Sequence, residues 1–104
     1  MIAATVADKW LASIEANHVT FRVLAVARVI ADHSDKDGVS QISRRYIERT
    51  SRAGTVLDAA KGLKALLDSG WLLTVADADA ATRTPRTFQL ATPVRDLAYD
   101  QLTH

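Results

Sequence analysis

No cysteine occurs in the 104 residues. That removes disulfides, thiolate metal sites and cysteine nucleophiles, and it fits a reducing cytoplasm. No apolar run is long enough to span a membrane, so no membrane association is expected. The opening Met1-Ile2-Ala3-Ala4-Thr5-Val6 has no basic start and meets Asp8 and Lys9 early, so no secretory signal is expected. Net charge is scarce as well. Thirteen Lys and Arg against twelve Asp and Glu leave +1. Non-specific attraction to phosphate is therefore weak on its own.

Catalytic signatures are missing too. His18, His33 and His104 are scattered, with no helix-face metal spacing. The serines lack a glycine-framed nucleophile turn. Neither a Walker phosphate loop nor a dinucleotide glycine fingerprint is present. Asp35-Lys36-Asp37-Gly38 looks like the start of a calcium loop, but the following Val39 to Arg45 supplies no closing glutamate. It reads as a turn. No enzyme activity, cofactor or metal is expected.

What remains is an ordinary globular composition, 48% hydrophobic and 24% charged, enough for one domain over 1–104 with a modest core. Val6, Trp10, Leu11 and Ile14 recur at helical spacing and predict a helix from Ala3 to Ala16. Thr20 is positioned to cap a second helix running to about His33, with Val23, Leu24, Ala27 and Ile30 inward and Val26 and Val29 on a flank. Ser34 to Gly38 turns the chain into a short β segment, Val39 to Ile42. Ser43 then caps a helix carrying Tyr46 and Ile47 on its apolar face. Thr50-Ser51-Arg52-Ala53-Gly54 turns again. Thr55 opens the next helix, with Asp58 completing a capping pair. Val56, Ala60, Leu63 and Leu67 are expected to be buried. That leaves Asp58, Lys61, Ala65 and Asp68 outward, with Leu57 and Lys64 on the flank. Gly62 costs about 1 kcal/mol inside a helix and suggests a close approach, to the preceding helix or to a phosphate backbone.

Gly70 ends that helix, and Trp71 to Ala76 reads as a strand with Trp71 in the core. Asp77 to Pro85 is a polar loop, and Arg86 to Leu90 alternates as a returning strand. Pro93 can start a last helix to residue 103, with Val94, Leu97, Ala98 and Leu102 as its apolar stripe. Residues 1–16, 19–92 and 93–103 thus form an N-terminal helix, a central core and a C-terminal helix. The fold class is mainly α with a small antiparallel β hairpin.

The order helix, turn, helix, glycine, strand, loop, strand is that of a winged helix-turn-helix. From Phe21 to Leu90 the chain resembles bacterial domains of this kind in replication initiators and transcriptional regulators. The stretch Leu63-x-x-Leu66-x-x-x-Gly70-Trp71-Leu72 is the most specific piece. Extended back to Ala60 (Ala60-x-x-Leu63) and taken with Arg83-Thr84-Pro85-Arg86-Thr87-Phe88-Gln89-Leu90-Ala91-Thr92-Pro93, it also resembles the C-terminal domain of some plasmid- or phage-type replicative ATPases of the primase–helicase kind. The resemblance implies double-stranded DNA as partner. The helix over 55–69 would lie in the major groove, and the wing over 77–86 would lie on the backbone or minor groove. It also implies a role in replication, plasmid maintenance or transcription, within a larger replication protein or as a relative of one. A homodimer through the terminal helices is a further expectation.

The expected DNA contacts are Arg44, Arg45 and Arg49 on the first helix of the motif and Arg52 in the turn. Thr55, Leu57, Lys61 and Lys64 follow on the second helix, and Arg83, Thr84 and Arg86 in the wing. The outward face of the second helix carries no Arg, Asn or Gln, the usual bidentate base readers. Lys61 can reach a guanine edge or a phosphate. Asp58 can accept from cytosine, in competition with its capping role. The competing reading is a protein-interaction module of a larger replication or regulatory assembly, favoured by the near-neutral charge.

Overall fold

The computed structural model describes residues 5–17 and 19–93. The expected C-terminal helix lies outside the described residues, apart from Pro93. α1 (Val6–Ala16) begins at a capping box. The Thr5 hydroxyl accepts from the Asp8 N–H at 3.0 Å, and the Asp8 carboxylate accepts from the Thr5 N–H at 3.1 Å. This cap starts the helix three residues later than the apolar period alone suggests. α2 (Phe21–Asp32) follows. Thr20 stands at its N-cap position in extended backbone, but its side chain makes no capping hydrogen bond. α3 (Arg44–Thr50) is capped by Ser43, whose hydroxyl accepts from the Tyr46 N–H.

Three antiparallel strands form one sheet in the order β1 (Val39–Gln41), β3 (Thr87–Leu90), β2 (Leu72–Ala76). β2 and β3 each begin one residue later than their patterns suggest. Phe88, on the central strand, faces Ser40 on one side and Thr74 on the other. Phe88, Leu90 and Leu72 are buried together. The β2–β3 hairpin carries the 77–86 loop at its far end.

Trp10 ties the helices to the sheet. Its indole N–H donates to the Trp71 carbonyl at 2.8 Å and to the Ala91 carbonyl at 3.0 Å. Those carbonyls belong to the start of β2 and the end of β3, which a backbone hydrogen bond joins (Ala91 N–H to Trp71 O, 3.0 Å). Trp10 and Ile14 are buried, so most of the α1 stripe is used inside the domain.

α4 (Val56–Asp68) packs on α2 and α3. Its buried residues are Ala59, Gly62, Leu63 and Leu66. The expected set Val56, Ala60, Leu63 and Leu67 is therefore out of phase by close to one residue position. Val56 is exposed, and Ala60 and Leu67 are half-buried. The cause is Gly62. A Cβ there would stand 2.8 Å from the Arg22 carbonyl oxygen and 3.0 Å from a Val26 methyl. The glycine thus lets α2, not α3, approach the α4 backbone. A matching correction applies to α2. Val26 is fully buried with Ala25, Ala27 and Ile30, whereas Val23 and Leu24 are half-buried.

α4 stops where Gly70 turns to φ +85° and the Trp71 N–H bonds back to the Leu66 carbonyl. The described residues thus form an α+β fold of four helices and a three-stranded antiparallel sheet. No helix among them is long and apolar enough to cross a membrane.

Candidate nucleic-acid interface

The phase of α4 decides which residues it shows. With Ala59, Gly62 and Leu66 inward, helical geometry puts Leu57, Lys61, Lys64 and Asp68 along the opposite stripe, at i, i+4, i+7 and i+11. All four are exposed, Leu57 by 61%. Leu57 and Lys64 therefore sit near the centre of the outward face rather than on its flank.

This stripe forms one wall of a groove of about 370 Å³. α3 supplies Arg44 and the hairpin supplies Arg86. Ala60, Leu63 and Leu67 supply its apolar floor. Three separate elements thus bring Arg44, Lys61, Lys64 and Arg86 to one surface. Two of these cations have intramolecular partners. Arg44 pairs with Glu48 at 2.8 Å, and Lys64 pairs with Asp68 one helical turn on. The exposed Lys64–Asp68 pair is worth about 0.3–0.5 kcal/mol and exchanges readily for other anions, whereas Glu48 is half-buried. Lys61 and Arg86 form no ion pair among the described residues.

Arg45 and Arg49 are exposed on a neighbouring face of α3 and do not line the groove. Arg52 lies in the α3–α4 turn at φ +54°, and Arg83 lies in the hairpin loop at φ +56°. Both arginines are exposed. They are the two non-glycine residues of positive φ among the described ones. Thr84 is half-buried. Its N–H and carbonyl bond to Asp79, and its hydroxyl shares a 2.7 Å hydrogen bond with Thr82.

The Thr55 hydroxyl is committed to its own helix. It accepts from the Asp58 N–H at 3.2 Å, while the Asp58 carboxylate accepts from the Thr55 N–H at 3.0 Å. The Thr55 N–H, first, and then the Thr55 hydroxyl, which donates to the same carboxylate at 3.1 Å, hold the Asp58 carboxyl below the usual aspartate range. Desolvation opposes them, and the Arg22 guanidinium at 3.4 Å and then Lys61 add smaller lowering effects. Asp58 is a cap. Asp79 is likewise used locally, its carboxylate accepting from the Ala81 and Thr82 N–H groups. Neither Asp77 nor Asp79 pairs with an arginine among the described residues.

Several large apolar residues outside the groove are exposed, Leu73 and Val75 of β2 among them. Phe21 is 69% exposed at the start of α2, and Val56 is 59% exposed at the start of α4. Phe21 lies opposite Ile30 in helical phase, so the periodicity did hold that signal. Phe21 lines a second cleft, of about 500 Å³, between the starts of α2 and α4. Among the described residues, no group of three His, Asp or Glu is placed to hold a metal. Neither a family model, nor a curated protein, nor a solved structure matches the chain.

Proposed function

We propose that this chain is a winged helix-turn-helix domain that binds double-stranded DNA, in replication, plasmid maintenance or transcription control. α4 enters the major groove, and the β2–β3 hairpin is the wing that follows the flanking backbone or minor groove. The observation that carries this reading is the groove at Leu57, Lys61 and Lys64, flanked by Arg44 from α3 and by Arg86, which immediately precedes β3. A helix face with cations on both sides suits a duplex, whose phosphate strands flank the groove floor. The element order supports the same reading: α2–α3–α4, a hairpin, and β1 on the far side of β3.

The strained arginines add support. Turn chemistry prefers Gly or Asn at positive φ. Arg52 and Arg83 hold those conformations while exposed. Strained positions of this kind cluster at functional sites. A phosphate contact gives each arginine a reason to be there.

A salt titration tests the proposal. With roughly four phosphate contacts, log K falls against log salt with a slope of about −3.6. Arg86→Ala weakens binding to all sequences alike and reduces the slope by about 1. Affinity that does not change with salt, or no affinity at all, would overturn the reading.

A protein-interaction module is the second reading. The exposed Phe21 favours it, lying at the 500 Å³ cleft that adjoins the cationic groove at Lys61. The ion pairs of Arg44 and Lys64, which halve the free charge of the groove, also favour it.

A further inference from the structure

We infer that Leu57 reads thymine, through the 5-methyl groups that line the major groove. The inference rests on the DNA-binding reading above and names what the α4 face recognises. The exposed stripe of α4 offers Leu57, Lys61, Lys64 and Asp68, with Ala65 beside it. None of these is the Arg, Asn or Gln that makes bidentate contacts to guanine or adenine. The C-terminal end of the stripe pairs Lys64 with Asp68. An acid at that end repels phosphate, so the N-terminal half is the part suited to lie deepest in a duplex.

That half presents Leu57, which protrudes into solvent inside the cation-lined groove, and Val56 beside it. The first turns of a recognition helix are the ones that meet base edges. A side chain with no polar atom cannot read donors and acceptors. Among the groups on the major-groove edges, the thymine methyl is the apolar one, and apolar side chains recognise it. The surrounding Arg44, Lys61 and Arg86 suit a polyanion and would be costly to bury under an apolar protein surface. Duplex DNA with thymine under the start of α4 satisfies both the charge and the apolar patch.

The test starts with selection of preferred duplexes from a random pool by the full chain. Each thymine of the best site is then replaced by deoxyuridine, which lacks the methyl group and keeps the pairing. Dissociation constants are measured for the wild type, Leu57→Ala and Lys61→Ala. Replacement at one or two positions is expected to weaken wild-type binding about four-fold, the equivalent of ~0.8 kcal/mol for one buried methyl-sized group. Leu57→Ala should bind more weakly and be indifferent to the same replacement. Lys61→Ala should also bind more weakly but keep the four-fold response. Because Leu57 is exposed, a thermal melt of Leu57→Ala that matches wild type shows that the fold is intact.

Two outcomes would overturn the inference alone. One is tight, salt-dependent binding unaffected by uracil at every position. The other is a thymine response that survives Leu57→Ala. Absence of DNA binding would overturn both the inference and the DNA reading, and would turn attention to Leu57 and Val56 as a protein contact.

Discussion

At the residue scale, two side chains separate stability from recognition. The Trp10 indole donates to two carbonyls that close the sheet, from a buried position. Trp10→Phe keeps most of the apolar bulk and leaves those carbonyls without that donor. The expected loss is about 1–3 kcal/mol, read from denaturant unfolding, with DNA affinity unchanged once the protein is folded. Arg83 should behave in the opposite way. Its positive φ is one that glycine adopts freely, so Arg83→Gly should leave stability within about 1 kcal/mol of wild type, since relieved strain and added chain entropy oppose each other. DNA binding should weaken, and its salt dependence should become shallower. A large stability loss in Arg83→Gly would make the arginine a structural residue instead. That Trp10 packs somewhere is visible from its helical phase. Its two acceptors are not, because they lie 61 and 81 residues away along the chain.

At the scale of elements, caps and turns were the most legible features. Thr5-x-x-Asp8, Ser43 and Thr55-x-x-Asp58 each start a helix through contacts three residues apart, and Gly70 ends one. Such signals are local, so a single sequence contains them. Thr5-x-x-Asp8 is such a signal, and it starts α1 at Val6 where the apolar period alone extends to Ala3. Helix phase was harder. α4 has apolar residues at 56, 57, 59, 60, 63, 65, 66 and 67, which cover more than half of its circumference. Periodicity then cannot choose between faces, and large aliphatics such as Val56 and Leu67 bias the choice. The small residues decide it, because α2 presses its backbone against Gly62. Gly62→Ala tests this. Alanine gains about 1 kcal/mol of helix propensity, yet its Cβ would meet the Arg22 carbonyl, a backbone atom that cannot swing aside. Overpacking costs of about 1–3 kcal/mol should outweigh the gain, giving a net loss and a lower melting temperature. A stabilised Gly62→Ala would mean that α2 and α4 are not held that closely.

At the scale of the whole molecule, the composition hides the feature that matters. A net charge of +1 is spread so that Arg44, Lys61, Lys64 and Arg86 meet in one groove. Arg45 and Arg49, which read the same way in the sequence, do not join them. The difference depends on how α3 packs on α4 and on the register of β3 against its neighbours, both of which are long-range. The central claim is that duplex DNA seats on this groove. Mapping backbone amide shifts by NMR while titrating in a short duplex tests it directly. The account predicts concentrated changes at Arg44, Leu57, Lys61, Lys64 and Arg86 and in the 77–86 loop, with α1 quiet. Changes centred on Phe21 or α1, or none at all at saturating DNA, would contradict it.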